Sequence, residues 1–343
     1  MKIAYLLEST ALCGGVKVVF RQAEALLKRG HHAVVISPEA YPPWFEGKVP
    51  FRQGRFPDGD LLKGFDRIIG TTPRLVLFVY GFPGLRGRLR HLVQGYEGDY
   101  RELQPMQAAI DEAYSLPVPK LTVSESLAGR LAERYPGRSF VSVGQGVEGQ
   151  YFYRGPQGAT QPAGAVDRVF LIGPLGISIK QIRLGLEAYR RAGERYPSLP
   201  LVRISAVDTR AEEEGLAGAI AAYHVNVTPK GVGEILRSGT GIFLSPSSPG
   251  EGFGLPAIEA LASGVPAVLT DIPSYRAYSD GGDFALFVPH DDPGAMAGAI
   301  CRLVEDAPLR EGLICRGLEV AARFSFDRVG EALERELGDG PAC

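Results

Sequence analysis

Three observations predict an α/β protein built from two doubly wound, parallel-sheet domains in tandem. Short apolar runs and amphipathic stretches alternate along the whole chain, the pattern of parallel strands covered by helices. The alternation stops at a Gly/Pro/Ala-rich stretch, 155–167, and then starts again. Glycine-rich turns, Gly14-Gly15 and Gly252-Phe253-Gly254, stand where a strand hands over to a helix in each half. At 343 residues the chain exceeds one ordinary core and suits two of roughly 150 to 170 residues.

In the first half, strands are predicted over 3–7, 33–37, 67–70, 75–80, 90–94, 120–124 and 139–143. A helix over 16–29 is closed by Gly30, which can take the left-handed turn after a helix end. A second, over 125–134, is opened by Ser124 as N-cap. The second half begins with a strand at 169–172 and a helix at 180–195. A strand at 201–206, a helix at 211–223, an apolar run at 225–227 and a short helix at 231–237 come next. The strand 241–245 leads through a glycine-rich loop to a helix with Pro256 near its first turn, where a missing N–H costs little. Strands at 267–270 and 285–288, a helix at 293–305 and a last helix at 324–337 complete the pattern.

Composition narrows the function. With 45% hydrophobic and 22% charged residues, the chain can fill two cores and is not a disordered polymer. The apolar run Leu75-Val76-Leu77-Phe78-Val79-Tyr80 falls far short of the roughly 20 residues of a membrane span. Glu8 stands too early for a secretory leader. Cys13, Cys301, Cys315 and Cys343 form no C-x-x-C pair and no metal spacing, so a reduced, cytoplasmic setting is expected. The net charge of −2 divides unevenly: residues 1–150 carry 19 Lys and Arg against 15 Asp and Glu. A mildly basic first half suits an anionic acceptor or the anionic inner face of a membrane, although uneven scatter reads equally well. No nucleic-acid motif is present.

The most informative segment is Glu251-Gly252-Phe253-Gly254-Leu255-Pro256-Ala257-Ile258-Glu259. Backbone N–H groups at such a loop and helix start point above the sheet, and the helix dipole favours an anion there. Glu259 lies one turn inside the helix, placed to accept hydrogen bonds from sugar hydroxyls. With its flanks, Pro246-Ser247-Ser248-Pro249-Gly250 and Ser263-Gly264-Val265-Pro266-Ala267-Val268, the segment resembles the E-x7-E signature of retaining nucleotide-sugar glycosyltransferases of family 4. Those enzymes have the GT-B fold, two Rossmann-like domains facing across a cleft. Cys13-Gly14-Gly15-Val16-Lys17 resembles their Gly-Gly loop near donor phosphates and acceptor, with Lys17 where Glu or Arg is more usual. Gly173-Pro174-Leu175 … Lys180-Gln181 resembles their G-R-L … K-G segment, in which an Arg and a Lys clamp the diphosphate. Lys180 matches the lysine; Pro174 takes the arginine's place, and Arg183 one turn on is a candidate substitute. Gln94 stands where many members have a histidine, as a neutral group that cannot serve as a base. The Gln-x-x-Glu variant at Gln94 and Glu97 is similar to rhamnosyl- and hexosyl-transferring members of surface polysaccharide synthesis. His91 is a poor replacement, since strand alternation turns it from the face of Gln94.

The resemblance implies an acceptor domain over 1–154, a linker at 155–167, a donor domain over 168–323 and a C-terminal helix, 324–343, crossing back to the first domain. It implies Lys180, Glu251 and Gln94 as catalytic residues. Gly14, Gly15, Gly252, Phe253, Gly254, Leu255, Glu259 and Arg183 would bind the donor. The implied reaction moves a hexose or deoxyhexose with retention from a nucleotide-diphosphate sugar to a hydroxyl on a glycan or glycolipid. No cofactor beyond the donor and no metal is expected. Two motifs are set aside. Gly144, Gly146 and Gly149 spell G-x-G-x-x-G, but the following Gln150-Tyr151-Phe152-Tyr153-Arg154-Gly155-Pro156 is not helical, as a dinucleotide fingerprint requires. Asp58-Gly59-Asp60 is a D-x-D, yet it sits in a Pro/Gly turn. A nucleotide-sugar epimerase and an inert sugar- or nucleotide-binding subunit remain as alternatives.

Overall fold

The computed structural model describes residues 1–54, 59–155 and 165–338. The chain divides into two compact units, Met1–Gly146 with Ser325–Cys343, and Val147–Phe324. Residues 147–155 go with the second unit because they are tied to it: Phe152 is buried, and Arg237 donates to the Tyr151 carbonyl. The boundary therefore falls ahead of the Gly/Pro-rich stretch, of which 156–164 lie outside the described residues. Asp58 lies outside them too.

The first unit runs β1 (Lys2–Leu6), α1 (Gly14–Lys28), β2 (His32–Ser37), β3 (Phe51–Gln53), β4 (Arg67–Gly70), α2 (Pro73–Tyr80), β5 (Leu89–Val93), α3 (Gln107–Ser115), β6 (Lys120–Thr122), α4 (Glu125–Arg134) and β7 (Phe140–Ser142). Among the described residues its strands form one parallel sheet in the order β3-β2-β1-β4-β5-β6-β7. The second unit runs β8 (Arg168–Ile172), α5 (Ile182–Gly193), β9 (Leu201–Ser205), α6 (Arg210–Ala217), β10 (Ala222–Val225), α7 (Pro229–Arg237), β11 (Gly241–Ser245), α8 (Leu255–Ala262), β12 (Ala267–Thr270), α9 (Pro273–Arg276), β13 (Leu286–Val288), α10 (Pro293–Glu305) and α11 (Ala307–Ala321). Its sheet, also parallel, has the order β10-β9-β8-β11-β12-β13. The last helix, α12 (Phe326–Gly338), belongs to the first unit. There Val329, Leu333 and Leu337, four residues apart on one face, are buried with Val19, Phe20 and Leu26 of α1. Arg29 donates to Glu334 through Nε at 2.8 Å, and His31 Nε2 lies 3.0 Å from the same carboxylate.

Four expectations need correction. The run 75–80 is helix, not strand: Pro73 occupies the first turn and the Thr72 hydroxyl accepts from Leu75 N–H at 3.3 Å. Six apolar residues fit a buried strand or a buried helix equally, and the Thr-Pro cap decides between them. The helix expected at 211–223 stops at Ala217, because Gly218 turns to a φ of +82° and 222–225 joins the sheet as β10. Lys180 is not in a helix; it ends a 3-10 turn, Ser178–Lys180, and left-handed Gln181 precedes α5. α3, α9, α11 and β3 were not anticipated, although Asp306, whose carboxylate accepts from Leu309 N–H at 2.9 Å, and Pro308 form a legible helix start for α11.

One core residue of the first unit sets a pH limit. His91 of β5 is fully buried against the Tyr114 ring, and neither of its ring nitrogens has a hydrogen-bond partner among the described residues. Burial, with the Lys120 charge second, pushes its pKa down to about 3. The imidazole is neutral when folded but takes a proton in the unfolded chain below about pH 6.5, so stability falls from there toward pH 3. Thermal unfolding of His91→Leu across pH 4 to 8 should show a shallower acid loss than the native chain, read between about pH 6.5 and 4. An unchanged acid slope would place the acid sensitivity elsewhere.

Candidate functional site

In the second unit, β8 and β11 are neighbours whose connections run to opposite sides of the sheet, to β9 and to β12. Right-handed crossovers then place the two following segments on opposite faces, leaving a crevice at the strands' carboxyl ends. The loops there are 173–181 and 246–254. Ser248 N–H donates to the Ile179 carbonyl at 2.8 Å, joining one loop to the other. The side-chain amide of Gln181 donates to the carbonyls of Pro246 at 2.7 Å and His290 at 2.8 Å.

Inside this frame lies an ion pair. Lys180 Nζ is 2.6 Å from Glu251 Oε2, with the lysine 22% and the glutamate 7% exposed. The Ser247 hydroxyl donates to the same oxygen at 3.0 Å. The Tyr275 hydroxyl donates to Ser247 Oγ at 3.1 Å and shares a 2.5 Å contact with Ser245 Oγ. Burial, and after it the Glu251 charge, raises the Tyr275 pKa, so this phenol stays a donor. Thr270 Oγ1 donates to the Ser247 carbonyl at 2.6 Å. The result is a relay of donors converging on one carboxylate.

The glycine-rich turn is held from below. Tyr278 donates from its hydroxyl to the carbonyls of Phe253 at 2.6 Å and Gly254 at 2.9 Å. The Phe253 ring is buried against Tyr278 and Phe324, so this residue contributes backbone, not side chain, to any ligand. Gly254 has a φ of +89°, and a Cβ there would lie 2.2 Å from the Tyr275 ring. Only glycine fits. α8 begins at Leu255; Pro256 in its first turn has no N–H, and the Ala257 N–H donates to the Gly254 carbonyl at 2.9 Å, which leaves the Leu255 N–H at the mouth of the helix. Glu259 is buried one turn inside α8.

The structure thus gathers Lys180, Glu251, Gly252, Phe253, Gly254, Leu255 and Glu259 at one sheet end. Arg183 is elsewhere engaged: it lies exposed on α5 and pairs with Glu212. In the first unit, Gly14 and Gly15 open α1, and Gln94 Nε2 donates to the Gly15 carbonyl at 3.1 Å. A Cβ on Gly15 would come within 3.4 Å of that amide. The loop before these glycines is fastened by Glu39, whose Oε2 accepts from Thr10 N–H at 2.6 Å and Ser9 Oγ at 2.9 Å. Glu97, three residues past Gln94, accepts from the Tyr114 hydroxyl at 2.6 Å, and burial pushes its pKa up to about 7. Ser247, Tyr275, Tyr278 and Glu39 were missed by sequence reasoning. Ser247 lay inside a quoted flank; Tyr275 comes from α9 and Tyr278 from just after it, and nothing in local spacing ties them to Glu251. Among the described residues, no three His, Cys, Asp or Glu side chains gather to hold a metal ion.

Two parallel-sheet units of this kind define the GT-B type of fold. In the second of them, residues 167–306 match the family model Glycosyl transferases group 1, so this unit carries a domain of that family. The chain is 27% identical over 219 residues to a phosphatidyl-myo-inositol mannosyltransferase of Mycobacterium leprae, an alignment covering 63% of this chain and 58% of that one. It is 28% identical over 224 residues to a D-inositol 3-phosphate glycosyltransferase of Corynebacterium urealyticum, covering 61% and 51%. It spans less than two thirds of either relative's length. Among solved structures, HepE of Anabaena in complex with UDP-glucose superposes with a TM-score of 0.77 at 14% identity, covering 98% of this chain and 99% of that one. That likeness concerns the fold.

The Gly254 geometry sets a test. Gly254→Ala should destabilise the chain by about 1–3 kcal/mol from backbone strain, with the Tyr275 clash added. Gly298→Ala, at an exposed α10 position with nothing within 4 Å of the new Cβ, should instead be neutral or stabilising by up to about 1 kcal/mol. Denaturant unfolding of both variants checks the pair, and equal costs would contradict the assignment.

Proposed function

We propose that this protein is a retaining glycosyltransferase that moves a hexosyl or deoxyhexosyl group from a nucleotide-diphosphate sugar to a hydroxyl of a glycan or glycolipid. The observation that carries the proposal is the Lys180–Glu251 pair set beside the start of α8, at the crevice between β8 and β11. A diphosphate at that place meets an ammonium and the positive end of a helix, where the Leu255 N–H lies. The names of the relatives support transfer over epimerisation, and their inositol-containing substrates suggest a polyol or glycolipid acceptor.

In this reading Glu259 accepts from the ribose hydroxyls and Glu251 from those of the sugar. The C1–O bond to the β-phosphate breaks as the acceptor oxygen bonds to C1 on the same face. The acceptor's proton passes to the departing phosphate oxygen. Lys180 and the α8 N–H groups stabilise the charge that develops on that diphosphate, so catalysis is positioning plus electrostatics. Gly14, Gly15 and Gln94 are our assignment for recognition in the first unit, and Arg183, bound to Glu212, drops to a secondary place in donor binding. We propose no metal and no resident cofactor, with work at the cytoplasmic face of a membrane supplying a lipid-linked acceptor.

A panel of nucleotide sugars, read by released nucleoside diphosphate, tests this directly. The native chain should turn over at least one donor slowly without acceptor. Lys180→Ala and Glu259→Ala should each lower that rate by about 10²–10³ at temperatures where the variant is still folded. Lys180→Ala should also unfold at a lower temperature, because it strands the buried Glu251 carboxylate. Native rates in either variant would remove that residue from the site. Donor isomerisation would favour an epimerase, and binding without turnover an inert subunit.

A further inference from the structure

Arg203 of β9 and Glu213 of α6 form an ion pair in which both side chains are fully buried. Withdrawing two charges from water costs several kcal/mol per ion, and apolar residues of like volume often replace such pairs without loss of stability. Cohesion alone is therefore a weak account of this pair. Its hydrogen bonds supply a better one.

Each guanidinium nitrogen is used. Nε donates to Glu213 Oε2 at 2.5 Å, and Nη2 to Glu213 Oε1 at 2.9 Å. Nη2 also donates to the Gly173 carbonyl at 2.8 Å, while Nη1 donates to the Leu171 carbonyl. Glu213 Oε1 is itself held by Thr209 Oγ1 at 2.9 Å and the Tyr223 hydroxyl at 3.0 Å. Leu171 and Gly173 are where β8 leaves the sheet: the Gly173 N–H bond to the Ile204 carbonyl, 2.9 Å, is a final rung toward β9. Beyond it the chain runs through Pro174 and a short 3-10 turn to Lys180. The two carbonyls gripped from beneath fix the direction in which that loop departs. A lysine in place of Arg203 could neutralise Glu213 but could not hold both carbonyls and the carboxylate in one plane.

We propose that the Arg203–Glu213 pair is the positioning unit for the 173–181 loop, and through it for the Lys180 ammonium. The consequence for ligand binding rests on the donor-site reading above; the consequence for the loop does not. Positioning by a buried fork lets Lys180 keep one location whether or not Glu251 releases it to a phosphate.

Two variants test this, Arg203→Met/Glu213→Leu and Arg203→Lys, each compared with the native chain by backbone hydrogen exchange and by calorimetric titration with uridine diphosphate and guanosine diphosphate. In the double variant, amides of 175–181 should exchange about ten- to a hundredfold faster, while those of α10 keep their native rates. Whichever nucleoside diphosphate the native chain binds should bind about tenfold more weakly. Native exchange in that loop, or native affinity despite a loosened loop, overturns the proposal. Should the double variant fail to fold, Arg203→Lys decides by the same two readouts and the same outcomes. A native chain that binds neither diphosphate counts against the donor reading alone, and loop exchange then decides the role of the pair.

Discussion

The ion pair between Lys180 and Glu251, 2.6 Å long and largely withdrawn from water, is the constraint around which the second unit's sheet end is organised. A lone ammonium or carboxylate at that depth would be costly, whereas the two together, with the Ser247 hydroxyl as a third partner, satisfy one another. The pair also joins two loops that the topology drives apart. β8 and β11 lie side by side, yet their connections go to opposite faces. Beside this pair, the 173–181 and 246–254 loops share the Ser248–Ile179 backbone bond, and the Gln181 amide reaches the Pro246 carbonyl. Local structure thus creates the crevice, and electrostatics holds its walls in register.

Around that contact the chain separates rigid support from exposed chemistry. Tyr275 and Tyr278 lie buried under the glycine-rich turn, and their hydroxyls meet Ser247 and the Phe253 and Gly254 carbonyls. The turn therefore cannot relax toward an ordinary βα loop: Gly254 has no room for a Cβ on one side, and its carbonyl is tied on the other. Groups held this way lose little further entropy on meeting a ligand, which is the physical meaning of preorganisation. The first unit uses the same device with different residues. Gln94 and Glu39 fasten the segment around Gly14 and Gly15 from two sides.

Much of this was legible in the residues, and the failures have identifiable causes. Strands 67–70, 241–245 and 267–270 and helices 125–134 and 293–305 were bounded as found, because apolar runs there end at polar caps or glycines that act locally. The helix at 73–80 was misread because six apolar residues carry no period of their own. α3 was overlooked because its start, after Met106, has no side-chain cap to announce it. In the candidate site, residues contiguous in sequence were visible: Glu251 through Glu259 form one loop and one helix. The Lys180–Glu251 contact spans 71 residues, and the tyrosine supports come from α9 and the turn after it, so neither could follow from spacing. Nor could Arg183 be excluded in advance, since its partner Glu212 sits 29 residues away on another helix.

The absence of an arginine at Pro174 is the feature that most distinguishes this sheet end, and the surrounding charges sharpen its meaning. Arg203 lies just behind that position, but Glu213 cancels its charge and two backbone carbonyls take its remaining donors. Arg183 faces Glu212. A diphosphate brought to the mouth of α8 would therefore meet the Lys180 ammonium and a helix end equivalent to roughly half a positive charge. That ammonium is already neutralised by Glu251. The balance favours a ligand that offers Glu251 something in exchange, as sugar hydroxyls do by donating to the carboxylate, over a bare diphosphate that can only compete with it. Under the donor reading proposed above, a missing cation and an occupied one together make the intact nucleotide sugar the tighter ligand of this site and the nucleotide it leaves behind the weaker, still measurable one.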